Sequence, residues 1–208
     1  MNGFQPGIFA SVFGVGFGIA SLIGYVRRQR WKQQLQVWEE VAAERGWQFQ
    51  STPGFRYSAG TLPLKGTHAG RSLTVETEHR GTGKQFNIFT IVRHERGIGF
   101  PRELTIGPET LRGDKFLKLF GVKGEQAGNA SLDAALGLHD VTPKVRAFLR
   151  HGDMQRTLLN VDHAFRTFTI KGGGLTAEVL DVPRTRAGLY ALLTPVRGLA
   201  DAVRSIQE

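Results

Sequence analysis

Along this chain the apolar positions alternate between helical and strand-like periods. Residues 7–26, GIFASVFGVGFGIASLIGYV, carry no charged side chain, and ten of the twenty are Ile, Val, Leu or Phe. As a helix rising 1.5 Å per residue the stretch is roughly 30 Å long, the thickness of a bilayer's hydrocarbon core. Each of the ten favours insertion by roughly 0.3 to 0.6 kcal/mol near the bilayer centre, less what glycine and serine subtract. A transmembrane helix is therefore expected here. In WKQQLQVWEEVAAERG, residues 31–46, the apolar positions Trp31, Leu35, Trp38 and Ala42 recur at helical spacing, and Gly46 is placed to end the helix. The membrane helix is expected to continue into a stalk.

From Trp47 the period shifts towards two. WQFQS, LPLKGTH, RSLTVETEH, QFNIFTIVRHE and ELTIG read as strands, with turns at TPG, HAG and RGTGK. DKFLKLF reads as a short helix and GVKGEQAGN as a loop. TPKVRAFLRHG opens as a helix capped by Thr142 with Pro143 at its first position, and MQRTLLN extends it. HAFRTFTIK and LTAEVLD are two further strands joined by Gly172, Gly173 and Gly174. The last segment sets Leu189, Leu192, Val196, Leu199, Val203 and Ile206 on one apolar seam, and Pro195 predicts a kink or two short helices. The expected fold is α+β: an N-terminal transmembrane helix extended into a stalk, then a hairpin-rich, mostly antiparallel sheet packed by C-terminal helices. The division expected is 1–26 for the membrane helix, 27–46 for the basic stalk and 47–208 for the α+β domain.

Charge gives the first helix a direction. The net charge is +9, no charged residue precedes Arg27, and Arg27, Arg28, Arg30 and Lys32 then fall within six positions. A cleaved signal has its basic residues before the apolar run, whereas here they follow it. The positive-inside rule places this cluster and everything after it in the cytoplasm, with the short N-terminus outside. Trp31, between Arg30 and Lys32, suits the headgroup layer, and four basic side chains attract anionic lipid by about 1 kcal/mol each. Gly14, Gly16 and Gly18 do not make a dinucleotide fingerprint, which needs a preceding strand and an acid about 20 residues on. Ala10, Gly14 and Gly18, every fourth residue, form a small-residue face that would let a second membrane helix approach and so give a homodimer; glycine is also simply common in membrane helices.

Chemistry is sparse. No cysteine is present, which excludes a disulfide framework and a thiol nucleophile. GTGK at 81–84 is no phosphate loop, since Glu78 and Gln85 occupy positions that need glycine and Ser or Thr. If the turns at 69–70 and 81–84 close hairpins, His68, Arg71 and His94 meet at one end of the sheet and His79 lies at the other. With Glu95 nearby this is the one polar cluster the pattern brings together, though no His-x-His or HExxH spacing marks it as a metal site. Neither a catalytic residue nor a cofactor site is predicted. Ser131, Asp133 and His139 are close in sequence only. Glu76 and Glu78 share a strand face, a start for paired carboxylate chemistry that a solvent-facing surface explains equally. Arg80, Lys84, Arg93, Arg96 and Arg102 scatter around Phe86, Phe89 and Phe100, but acids interleave with them, which disfavours nucleic acid.

The segments VWEEVAAERGWQF, GTHAGRSLTVET and SLDAALGLHDVTPKVRAFL resemble a family of uncharacterised bacterial single-pass membrane proteins with a C-terminal α+β domain, over about residues 35–190. The resemblance implies an address in the bacterial inner membrane and a fold, and transfers no catalytic residue. The leading expectation is a non-catalytic interaction or regulatory domain at the cytoplasmic face, with the bilayer, anionic headgroups and a protein of unknown identity as partners. The alternatives are a tethered hydrolase using Asp, Glu or His, and a domain binding nucleic acid or anionic lipid.

Overall fold

The computed structural model describes residues 6–54, 60–81, 87–95, 100, 104–108, 126–139 and 141–207; within the first helix it describes the side chains of Leu22 and of residues from 24 onward. Helix α1 is a single element, Pro6–Arg45, 40 residues long. It ends on a Schellman motif. Gly46 has φ +63°, its N–H donates to the Ala43 carbonyl at 3.2 Å, and the Trp47 N–H donates to the Ala42 carbonyl at 2.8 Å. Stalk and expected membrane segment are thus one continuous helix. Among the described residues no helix is long and apolar enough to cross a membrane. The predicted span, 7–26, and its small-residue face Ala10, Gly14 and Gly18 fall mostly outside the residues whose side chains are described.

Eight strands form one sheet in the order β1-β2-β3-β4-β8-β7-β5-β6, every neighbouring pair antiparallel. The strands are β1 (Gln48–Phe49), β2 (Leu64–His68), β3 (Arg71–Arg80), β4 (Asn87–His94), β5 (Thr105–Pro108), β6 (Leu136–His139), β7 (Thr167–Lys171) and β8 (Gly174–Leu180). Between them lie α2 (Ala130–Ala135), α3 (Pro143–Leu149) and α4 (Gly152–Ala164), and the chain closes with α5 (Arg186–Gln207). The β2–β3 and β7–β8 hairpins both use two-residue turns with two positive φ angles, Ala69 at +51° with Gly70 at +72°, and Gly172 at +59° with Gly173 at +76°. Such turns match the right-handed twist of the strands they join.

The mixed architecture, the antiparallel sheet and the C-terminal helices are as the residue pattern predicts. The differences are local. WQFQS is a strand only over Gln48–Phe49, and residues 136–139 add an edge strand that the pattern does not announce. MQRTLLN belongs to a separate helix, because Arg150 and His151 interrupt the chain between α3 and α4. Pro195 does not divide the last helix, and α5 runs through it. Its ring removes one donor, and the carbonyl four residues earlier belongs to exposed Ala191, where water can take the donor's place. DKFLKLF, residues 82–84 of the RGTGK turn (Lys84 among them), and Phe86, Arg96 and Arg102 lie outside the described residues.

One face of the sheet carries the core. Leu73, Val75, Val92, Phe168, Ile170, Leu175 and Ala177 meet Leu189, Leu193, Val196, Leu199 and Val203 of α5 and Trp38, Val41 and Ala42 of α1. Trp38 is fully buried, and its Nε1–H donates to the Pro183 carbonyl at 3.2 Å. Burying one aromatic of this size, roughly 150–250 Å², is worth about 4–6 kcal/mol at 25 cal/mol per Å². The C-terminal part of α1 is therefore part of the domain's core, not a linker leading to it.

Candidate functional site

The β2–β3 turn places His68 and Arg71 opposite each other, and β3–β4 pairing sets His94 against Leu73. The sheet thus assembles the polar cluster predicted at this end. The rings of His68 and His94 lie edge to face with centroids 6.4 Å apart. Helix α5 adds two residues that the apolar seam gave no reason to select. Arg197 donates from Nε to His68 Nδ1 at 3.2 Å, and Asp201, one turn on, stands 2.9 Å from His68 Nε2. An arginine N–H can only donate, so Nδ1 is the acceptor and Nε2 carries the proton towards Asp201. Both nitrogens of His68 are occupied, leaving neither for a substrate proton or a metal.

His94 differs. It is only 1% exposed, its Nδ1 lies 3.4 Å from the carbonyl of Glu95, and Nε2 has no partner among the described residues. Glu95 contributes this carbonyl; its side chain points to solvent. Burial holds the His94 pKa below the usual histidine range; the Glu95 and His68 backbones oppose this, and the positive charge of Arg71 reinforces it. The ring is therefore a neutral core histidine. At the far end of the sheet, His79 Nε2 approaches the Gly60 carbonyl at 3.4 Å, as its place in β3 predicts.

The carboxylates on the opposite sheet face are neutralised in place. Glu76 pairs with Arg93, and Arg80 bridges Glu178 in a two-pronged contact of 2.7 and 2.8 Å while reaching Glu78 at 3.0 Å. The Arg80 hydrogen bond holds the Glu78 carboxyl below its ordinary pKa, so Glu78 stays ionised and cannot serve as a general acid near neutrality. Asp133 is likewise engaged, accepting from the backbone N–H groups of Ala127 and Gly128 at 2.7 and 3.1 Å, while the side chain of His139 lies outside the described residues.

The basic cluster is open. Arg27, Arg28, Arg30 and Lys32 are exposed, and none has an ion-pair partner among the described residues. Trp31 is half-buried, its ring against Gly60, where an added Cβ would lie 2.8 Å from Cζ2. Beside it, α1 and the β8–α5 loop enclose a cavity of about 130 Å³ whose lining includes Arg30, Trp31 and Gln34 on one side and Asp181 and Arg184 on the other. Proximity of Arg184 to Arg30 across 154 positions is a product of the fold, and nothing local in the sequence announces it.

Neither a protein-family model nor a curated protein matches the chain. Among solved structures the chain is similar to that of the mycobacterial trehalose monomycolate transport factor A, TtfA, at 13% sequence identity and a TM-score of 0.46, over 85% of this chain and 96% of that chain. A likeness of that degree carries no statement about binding or activity.

Proposed function

We propose that this chain is a single-pass protein of the bacterial inner membrane whose α+β domain is held at the cytoplasmic face as a non-catalytic interaction module. The observation that carries the proposal is the continuity of α1: one helix joins the uncharged segment 7–26 to the buried Trp38, Val41 and Ala42. At 1.5 Å per residue the helix is about 60 Å long, enough for a bilayer crossing and a stalk without a hinge. Leu22 and Tyr25 are 63% and 61% exposed, an apolar surface that lipid would cover. The unpaired cationic residues that follow fit anionic headgroups and the cytoplasmic orientation. The non-catalytic reading is supported by the two histidine nitrogens occupied at His68 and by the arginine-bound carboxylates at Glu76, Glu78 and Glu178.

Topology is the test. A fluorescent reporter that matures only in the cytoplasm, fused after Glu208, is expected to be active, and alkaline phosphatase at the same point inactive. The reverse pair of results would overturn the orientation. Release of the full chain from membranes by alkaline carbonate would overturn the anchor.

A further inference from the structure

We infer that the cavity between α1 and the β8–α5 loop is a binding site for a phosphate group, with Arg30 and Arg184 as its cationic jaws. The inference rests on the membrane-anchored reading for its most natural ligand, the phosphate of an anionic lipid headgroup. It rests on the cavity itself for its chemistry.

The depth follows from the helix. Arg30 lies four residues beyond Val26, roughly 6 Å along the axis, and the headgroup layer is about 5–8 Å thick on each side of the hydrocarbon. Arg30 and Trp31 therefore stand at phosphate level. Since Arg184 lines the same cavity, the β8–α5 loop is brought to that level too. Exposed Leu180, 44% accessible, immediately precedes the loop.

The loop is fixed before any ligand arrives. Asp181 adopts φ +94°, a conformation unfavourable to a side-chain-bearing residue. It is held there by its N–H on the Ile88 carbonyl at 2.9 Å and by Thr90 Oγ1 donating to its own carbonyl at 2.7 Å. Two residues on, the Pro183 carbonyl is tied to Trp38 of α1. Arg184 is thereby carried on a loop pinned to both the sheet and the helix that bears Arg30.

The lining combines apolar Leu62, Ile88 and Val182 with several donors. Arg30 has no ion-pair partner among the described residues, and Arg184 has only a long 3.7 Å approach to Asp181. Asp181 uses Oδ1 on the Val182 N–H at 2.7 Å, so its carboxylate is turned into its own loop. Gln34 adds an amide, and Thr77, whose Oγ1 accepts from the Leu62 N–H at 2.9 Å, retains its hydroxyl proton to donate. Two guanidinium groups with neutral donors and a single acid suit an oxyanion, and planar guanidinium forks match phosphate oxygens in pairs. A cavity of about 130 Å³ is well above the 10–15 Å³ needed to admit one water.

The test uses the full chain in neutral detergent. Short-chain phosphatidic acid, phosphatidylcholine and inorganic phosphate are added separately, and binding is followed by native mass spectrometry and by the rise in Tm that a ligand of the folded state produces. Phosphatidic acid is expected to bind with one-to-one stoichiometry and phosphatidylcholine to bind more weakly. Arg184→Gln and Arg30→Gln are each expected to weaken phosphatidic acid binding about tenfold or more, with Arg166→Gln, an exposed arginine elsewhere, leaving it unchanged. Equal binding by wild type and Arg184→Gln, with Tm unchanged in the absence of ligand, would overturn the site. An equal loss in Arg166→Gln would overturn it too, showing attraction to net charge alone. Inorganic phosphate binding as tightly as the lipid, and equally dependent on Arg184, would support the site with a free phosphate as its ligand. If the chain leaves membranes in alkaline carbonate while Arg184-dependent binding persists, the anchor fails and the site stands.

Discussion

Arg197 donates from Nε to Nδ1 of His68 at 3.2 Å and so fixes which nitrogen of that ring carries the proton. In a hydrolytic dyad the acid would orient the imidazole through one nitrogen and leave the other facing substrate. Here the second nitrogen faces an arginine. Nitrogen-15 spectra of the His68 ring at pH 8 are expected to show Nε2 protonated and Nδ1 unprotonated; the opposite tautomer would refute this geometry and reopen a base role for His68.

His94 makes stability depend on pH. Its native pKa is lowered by burial, while in the unfolded chain it returns to about 6.5, so between the two values the unfolded state binds the extra proton. Its neutral form is compatible with full stability above pH 6.5, and stability falls as pH drops below that value towards the native pKa. His94→Leu is expected to remove this component of the fall. At pH 7 the replacement should be neutral or stabilising by about 1 kcal/mol, because it eliminates a buried nitrogen without a described partner. Urea melts at pH 5 and 7.5 for both proteins measure the difference.

The β2–β3 turn holds a correctable strain. Ala69 sits at φ +51°, where a non-glycine residue costs roughly 1 kcal/mol and asparagine costs less. Ala69→Asn is expected to raise stability by about 0.5–1 kcal/mol, seen as a Tm increase of roughly 1–4 °C. A lower Tm would show that the turn is not the two-residue form described.

How much of this could be read beforehand depends on the range of the interaction. The turn at His68-Ala69-Gly70-Arg71, the stop at Gly46 and the Thr142-Pro143 helix start are local, and the residues that satisfy the backbone are adjacent in the sequence. Alternation in β3 and β4 was enough to bring His68, Arg71 and His94 to one end, because antiparallel pairing follows from a hairpin. Arg197 and Asp201 were not legible, since i,i+4 charges on a helix ordinarily face water and only docking onto the sheet turns them towards His68. The short strand 136–139 was hidden for a related reason. Leu-Gly-Leu-His is too brief a run to show a period, and it is a strand only because β5 lies beside it.

Gly60 is closely approached both by the Thr52 backbone and by the Trp31 ring of α1. A Cβ there would lie 1.9 Å from the Thr52 carbonyl oxygen and 2.8 Å from the Trp31 ring, and the backbone atom cannot move aside cheaply. Gly60→Ala is expected to destabilise the fold by about 2–3 kcal/mol and to shift Trp31 fluorescence to the red as the ring loosens. Wild-type stability in a denaturant melt would contradict this contact.

The central claim is that α1 passes from lipid into the core of the domain without a break. Single spin labels placed along residues 20–34 of the full chain in phosphatidylcholine–phosphatidylglycerol vesicles measure it directly, by comparing collision with oxygen and with a water-soluble nickel complex. The account predicts oxygen-dominated collision through residue 26, a crossover between residues 27 and 31, and helical periodicity from the domain contact beyond it. Nickel-dominated collision throughout residues 20–26 would contradict it.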